Sequence, residues 1–232
     1  MSELLAHVEA VWQSVVPDLP AADEQTAGRG RLGKGWHSKA GQSLTFSLAL
    51  PLAPADWSGL SLAVGVSLAE SLHPDVRLKW PNDLWLQERK LGGILVETAG
   101  IGDNSTPQRT VVVGVGINIA RPETAVVNTL TGAQPAMPPV APAGLAEVLV
   151  GITAGEVLAR VAPALVRDVQ CFEREGFAPF AARFAARDAL SGRAVRLSDG
   201  VEGTAGGVSH QGALRVLTPQ GLREVTSAEV SV

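Results

Sequence analysis

The sequence predicts an α+β fold: a mixed β-sheet with helices on one face, followed by a small β-barrel. Three observations carry this. Apolar residues alternate with polar or small ones in several stretches between Leu44 and Ile119, the period of half-buried strands. The helical stretches between and after them are long enough to cover one face of such a sheet. After Ser191 the texture changes to short β patterns separated by glycine turns, which marks a second unit of about 40 residues. The division that follows is 1–188 and 189–232.

Each element has its own local cause. Leu4, Leu5, Val8, Val11, Trp12 and Val15 recur at helical spacing, and Pro17 and Pro20 end that helix. Leu19 to Asp23 reads as a short strand. Leu44, Phe46, Leu48 and Leu50 make a strand stopped at Pro51. Trp57 to Leu72 is apolar and reads as a buried helix ending near His73-Pro74. Val76, Leu78 and Trp80 alternate with Arg77 and Lys79 as a half-buried strand. Asp83 to Gln87 and Leu91 to Thr98 form two strands joined by a tight Glu88-Arg89 connection. Thr110 to Ile119 is a buried β-branched strand, and the Pro-rich stretch from Arg121 to Pro142 is a long loop. Leu145 to Glu175 and Phe177 to Asp188 are helical, and Pro163 is expected to kink or restart the first of them. Val195 to Leu197, Ala213 to Leu217 and Leu222 to Val225 are the strands of the second unit.

With 232 residues, 46% of them hydrophobic, the chain can bury a sizeable core. A net charge of −4 argues against a dedicated nucleic-acid binder. Cys171 is the only cysteine, so no internal disulfide forms. No apolar run reaches the roughly 18–20 residues that a membrane span needs. With no N-terminal signal pattern either, the expectation is a cytoplasmic protein. The four histidines are scattered without metal-ligand spacing, no Gly-x-Ser-x-Gly elbow occurs, and Cys171 lies in a helical stretch without an evident partner. Zinc chemistry and nucleophilic triads therefore have little support.

The chemistry concentrates in four segments. The first, Gln25-Thr-Ala-Gly28-Arg29-Gly30-Arg31-Leu-Gly33-Lys34-Gly35-Trp36, sets four glycines among three cations, with no acidic residue from Gln25 to Ala55. Glycines let backbone N–H groups turn toward an anion, guanidinium groups grip phosphate or carboxylate, and Trp36 offers a flat face to a base. Its letters match both a dinucleotide fingerprint and a P-loop, but each needs a helix directly after it, and a strand is expected instead. The alternative is a solvated basic loop. The second segment, Lys79-Trp-Pro-Asn82-Asp83, ends a strand with a cation, an amide and a carboxylate. This set suits a Mg²⁺–triphosphate and ribose hydroxyls, although Asn and Asp are also ordinary turn residues. In the third, Lys90-Leu-Gly92-Gly93-Ile-Leu-Val-Glu97, paired glycines signal the close approach of a ligand or another backbone. A lysine there can balance charge developing on a phosphate, or it is an ordinary edge-strand lysine. In the fourth, Gly114-Val-Gly116-Ile-Asn118, a buried amide needs partners, either a ligand or the backbone.

These strings, together with Asp23-Glu-Gln25 and Trp36-His-Ser38, resemble the biotin protein ligase family. Looser similarity runs through Phe172-Glu-Arg-Glu-Gly176 into the C-terminal unit. The resemblance implies a catalytic domain plus an SH3-like barrel. It also implies two reactions: biotin and MgATP give biotinyl-5′-AMP and pyrophosphate, then a lysine of a biotin carboxyl carrier protein takes the biotin. It assigns catalysis to Lys90, Arg31 and Asp83. It assigns biotin binding to Ser2, Gln25, Arg29, Gly30, Arg31, Lys90 and Gly92, and ATP binding to Arg29, Arg31, Trp36, Lys79, Asn82, Asp83 and Asn118. No direct Mg²⁺ ligand is assigned. The family's Ser-Thr-Asn biotin contact falls on Met1-Ser2-Glu3, where only Ser2 matches. Larger regulatory members carry an N-terminal winged helix that has no counterpart here, so the expected partner is the carrier protein rather than nucleic acid or membrane, and a homodimer stays open. Two alternatives remain: a lipoate or octanoyl ligase or transferase, which the Arg-Gly-Arg and Lys-Trp-Pro-Asn-Asp strings disfavour, and a non-catalytic module that senses biotin or its adenylate.

Overall fold

The structure, a computed structural model, describes residues 28–29, 35–36, 41–99, 108–122 and 142–232. The expected helix at 4–15, the expected strand at 19–23 and residues 123–141 of the expected long loop lie outside the described residues. Two short strands come first, β1 (Gly28–Arg29) and β2 (Gly35–Trp36), paired antiparallel. Strand β3 (Ser43–Leu52) follows and carries its alternation through to the structure. Leu44, Phe46, Leu48, Leu50 and Leu52 are all buried, and the residues between them face the other way.

Strand β3 joins β4 (Arg77–Lys79), β5 (Asp83–Leu86), β6 (Arg89–Ala99) and β7 (Arg109–Asn118) in the first large sheet, whose order is β3-β7-β6-β5-β4. All of its strand pairs are antiparallel, so the sheet expected to be mixed is not. Short hairpin connections allow nothing else for β4-β5-β6. Strand β3 runs past the expected stop, with Pro51 opposite Thr110. It lies at the sheet edge, where a missing N–H interrupts no ladder on its outer side. The β5-β6 turn is Gln87-Glu88, one residue earlier than expected. Both residues have positive φ (51° and 62°), the twist of a two-residue hairpin turn.

The helices pack on one face of this sheet. Helix α1 (Leu60–Leu72) is buried along most of its surface, between the sheet and helix α2 (Ala154–Glu175). Gly65 keeps it close, since a Cβ there would lie 3.1 Å from Leu78. Thr153 and Glu156 form a capping box that starts α2, which buries Val157, Val161, Leu165, Val169 and Phe172. Pro163 does not break α2. It lies on the exposed face, as does Ala159, whose carbonyl loses its helical donor and faces water instead. The helical stretch expected from Leu145 instead begins as one 3₁₀ turn (Leu145–Glu147) and stops at Gly151. Helix α3 (Ala178–Ala185) adds Phe180 and Phe184 to the core. Each such aromatic is worth roughly 1.5–3 kcal/mol of burial. From α3, Arg183 reaches Glu70 of α1 at 2.7 Å and Asp168 of α2 at 2.9 Å, tying three helices with one guanidinium.

Five further strands, β8 (Ala194–Leu197), β9 (Glu202–Val208), β10 (Leu214–Thr218), β11 (Gly221–Val225) and β12 (Val230–Ser231), form the second sheet in the order β11-β10-β9-β8-β12. It is a small β unit but not the closed barrel expected. Its two edge strands, β11 and β12, do not pair with each other, and two-residue β12 is used up against β8. Strand β9, with the sequence Glu-Gly-Thr-Ala-Gly-Gly-Val, escapes a reading by periodicity because glycine hides a β pattern. Gly203 is required there, since a Cβ would come within 2.5 Å of the Leu217 carbonyl oxygen.

Candidate functional site

The register of the first sheet sorts its residues onto two faces. Leu44, Leu84, Gly92 and Ile117 lie in one row on the helix-covered face. Lys79, Asp83, Gly93, Gly116 and Thr45 lie in the adjacent row on the opposite face. Ser43 with Asn118, and Ser47 with Gly114 and Leu95, continue that second face. It is a floor of glycines and small hydroxyl residues. Lys79, Asp83 and Lys90 stand on its β4-β5-β6 side, and farther along the strands Leu95, Val112 and Ala49 share this face with the exposed Glu97, which pairs with Val112. A surface without Cβ atoms lets a ligand lie against the backbone itself.

A β-bulge aims Lys90 onto this floor. Leu84 pairs with Gly92, but Trp85 pairs with Lys90, so Leu91 is the extra residue. Leu91 turns into the core, fully buried, and Lys90 joins Asp83 and Gly93 on the floor. Lys90 Nζ donates to Asp83 Oδ1 at 2.7 Å. A Cβ at Gly93 would lie 3.6 Å from the same nitrogen, so the ion pair stands directly beside a glycine platform. Lys79 Nζ lies 4.9 Å from the Trp85 ring centroid, a cation held over an aromatic face.

The amides of the two Asn candidates are committed to backbone. Asn82 Nδ2 donates to the Ile94 carbonyl at 2.7 Å, and Ile94 N–H donates back to the Asn82 carbonyl at 3.0 Å. Asn118, buried, donates to the Ala143 carbonyl at 3.0 Å, and Ala143 N–H donates to the Lys90 carbonyl at 2.8 Å. Asn118 thus fixes residues 142–144 against the strand that carries Lys90. Trp80, inside the Lys79–Asp83 string, is buried and donates its indole N–H at 3.1 Å to the Gly212 carbonyl, in the turn between β9 and β10. Gly92 faces the core, and a Cβ there would collide with the Gly116 carbonyl oxygen of β7. The two readings of the paired glycines therefore divide: Gly92 serves the approach of a backbone, and Gly93 faces the floor.

Lys79, Asn82, Asp83, Lys90, Gly92 and Asn118 thus come together around one end of the sheet. Of Arg29 and Trp36 the backbone alone is described. Gly28 stands opposite Trp36 and Arg29 opposite Gly35, so the described residues of the glycine-rich run pair as antiparallel strands. Ser2, Gln25, Gly30 and Arg31 lie outside the described residues. Sequence reasoning named Gly114 within its fourth segment but missed the hydroxyls of the floor, Thr45 and Ser47, although the period-2 alternation of β3 contains the signal. The backbone of Ala143, joining Lys90 to Asn118, carries no such signal.

Residues 7–118 match the family described as Biotin/lipoate A/B protein ligase family, and residues 190–232 match Biotin protein ligase C terminal domain. The chain is 34% identical over 220 residues to a biotin–[acetyl-CoA-carboxylase] ligase of Paracoccus denitrificans, across 90% of this chain and 88% of that protein. It is 38% identical over 211 residues to the bifunctional ligase/repressor BirA of Escherichia coli, across 85% of this chain and 60% of BirA, so it spans about six-tenths of that relative's length. Among solved structures, biotin protein ligase from Aquifex aeolicus in complex with biotin and ATP superposes with a TM-score of 0.67 at 28% identity, covering 90% of this chain and 85% of that one. A point mutant of the same enzyme in complex with biotin gives 0.70 at 29% identity, with the same coverage of both chains.

Proposed function

The chain belongs to the biotin/lipoate A/B protein ligase family, and from that premise we propose that it is an ATP-dependent biotin protein ligase. One observation carries the reading beyond family membership: a floor of glycines and small hydroxyls with the Lys90–Asp83 pair standing beside Gly93. Such a floor suits a ligand whose ring lies against backbone and small hydroxyls and whose carboxylate reaches the lysine, as biotin's ureido ring and carboxylate can, with a phosphate meeting it there.

In the first step a biotin carboxylate oxygen attacks the α-phosphorus of ATP. The new oxygen–phosphorus bond forms as the bond to pyrophosphate breaks, giving biotinyl-5′-AMP. Two anions must meet, so cations positioned beforehand carry the catalysis. Lys90 is one, and Arg29 and Arg31 supply the rest from the glycine-rich segment, where Gln25, Gly30 and Ser2 complete the biotin contacts. An ammonium has three donors, so Lys90 serves the phosphate while Asp83 still holds one of its protons. Mg²⁺ enters with ATP as part of the substrate. Among the described residues no cluster of three His, Cys, Asp or Glu makes a ready cation site. Lys79, Asn82, Asn118 and Trp36 bound the nucleotide. Gly92 acts by letting β6 lie close to β7.

In the second step a lysine amine of the biotin carboxyl carrier protein attacks the acyl carbon, AMP leaves, and Asp83 takes the amine proton. The mixed anhydride hydrolyses easily, and in this reading the glycine-rich segment excludes water from it. Residues 1–188 form the catalytic domain in this reading, and 189–232 the appended β domain.

Exchange of labelled pyrophosphate into ATP tests the reading. Exchange that depends on biotin is the expected result. Exchange that depends on lipoate or octanoate transfers the protein to the neighbouring activity, and no exchange with any acid removes the catalytic reading.

A further inference from the structure

The bulge that aims Lys90 is also the weakest point of its ladder, because one residue there has no cross-strand partner. Beyond its pairing with Trp85 and the Asp83 contact, what fixes the Lys90 backbone lies outside the sheet. Arg89, its neighbour, grips Glu147 with both terminal nitrogens, Nη2 to Oε2 at 2.5 Å and Nη1 to Oε1 at 3.2 Å. The fork is largely shielded from solvent, with side-chain exposures of 17% and 27%. Glu147 Oε1 also accepts the Gly144 N–H at 2.8 Å. Gly144 itself is pressed against the Ala120–Arg121 backbone, so closely that no Cβ fits, and Ala146 N–H donates to the Ile119 carbonyl at 2.9 Å. Between them Ala143 joins the Lys90 carbonyl to the Asn118 amide. One carboxylate therefore closes a ring that runs Glu147–Arg89–Lys90–Ala143–Gly144 and touches the end of β7. The Arg89 and Gly144 hydrogen bonds hold the Glu147 carboxyl below its ordinary range, so the fork is fully charged at neutral pH.

We propose that Glu147, by gripping Arg89 and the Gly144 N–H at once, is a positioning residue that sets Lys90 and Asn118 for adenylate formation. This rests on the ligase reading above. Glu147 touches no reacting atom. Its effect passes through Lys90, and therefore falls on turnover more than on the binding of biotin.

The test is a double-mutant cycle on full-length protein, read by biotin-dependent pyrophosphate exchange and by amide hydrogen exchange. Glu147→Ala is expected to lower kcat about tenfold, the scale of a misplaced catalytic group, and to leave the biotin KM within about twofold. In a Lys90→Ala background the same change is expected to cost less than about twofold, since residues that act through one another are not additive. Glu147→Gln keeps an acceptor for Gly144 and is expected to recover most of the loss. Independently of activity, exchange at the Ala143 and Gly144 amides is expected to accelerate in Glu147→Ala and to return in Glu147→Gln. If Glu147→Ala does not fold, Arg89→Gln takes its place in the cycle with the same expected non-additivity. Full additivity with Lys90→Ala, a loss confined to KM, or unchanged protection at Ala143 would each overturn the proposal. A wild type that exchanges no pyrophosphate with biotin, while Ala143 protection still depends on Glu147, would instead overturn the ligase reading and leave the ring standing.

Discussion

Lys90 reaches the floor only because Leu91 steps out of the ladder; in an unbulged strand its side chain would enter the core. Its pairing with Asp83 at 2.7 Å is half-exposed on the lysine side, so the pair itself adds little stability. Its value is in reaction. Lys90→Ala is expected to reduce pyrophosphate exchange by about 10²–10³, the effect of losing one preorganised charge donor, with the folded state intact by circular dichroism. Near wild-type exchange would remove Lys90 from the mechanism. Asp83 is expected to divide the two steps. Asp83→Asn keeps shape and loses basicity, so transfer from isolated biotinyl-AMP to carrier should slow by at least about tenfold more than adenylation does. Single-turnover transfer measured beside exchange decides it, and equal losses in both would reduce Asp83 to a holder of Lys90.

At the scale of elements, the adjacent glycines of β6 do different work, and substitution separates them. A methyl at Gly92 meets the Gly116 carbonyl oxygen of the next strand, so Gly92→Ala must push β6 and β7 apart. That is expected to cost about 1–3 kcal/mol in urea unfolding. A methyl at Gly93 meets Lys90 and Asp83 only at ordinary contact distance, 3.6–3.8 Å, so Gly93→Ala should unfold within about 0.5 kcal/mol of wild type. It nevertheless places a methyl on the floor, and the biotin KM should rise several-fold. Equal destabilisation by the two changes would mean that the two faces are wrongly assigned.

At the scale of the whole molecule, several contacts among the described residues join the two units, Arg193 with Glu88 and Gln211 with Asp56 among them. Trp80 donates to Gly212, Gly212 packs on Gly59 at the start of α1, and Leu78 clasps the connection through Arg187 and Ala189. Trp80→Phe shrinks the buried bicyclic ring and removes the N–H, leaving a small cavity beside an unpaired buried carbonyl, and is expected to cost at least about 1–3 kcal/mol. A midpoint equal to wild type would mean water replaces the bond. Asp188 lies in the same connection, with Oδ2 buried and without a partner. Burial raises its pKa, although N–H donation from Leu190 and Ser191 lowers it in part. The folded state therefore holds this proton more tightly than the unfolded chain does. Its ionisation costs stability above the folded pKa, and the cost fades as pH falls toward the unfolded value of about 3.9. Asp188→Asn is expected to raise the unfolding midpoint at pH 7, with the gain shrinking toward pH 4. A gain independent of pH would exclude the charge as its cause.

Local periodicity in the sequence was enough to place the strands from Ser43 to Asn118 and the helix ending at Leu72, because alternation and helical spacing are properties of a few neighbouring residues. The motif strings were enough to point to the family, because the glycines, cations and amides of an adenylating site lie in short contiguous runs. Contacts between residues distant in the chain were beyond it. The Gly-rich strand β9, the open edge of the second sheet, the uninterrupted course of α2 past Pro163 and the hydrogen bond from Trp80 to Gly212 each depend on what lies opposite. The same holds for the site. The sequence named Lys90 and Asp83 as candidates, but the bulge at Leu91, the collision that reserves Gly92 for a neighbouring strand and the Ala143 link between Lys90 and Asn118 come from cross-strand register and packing, which only the folded chain brings into being.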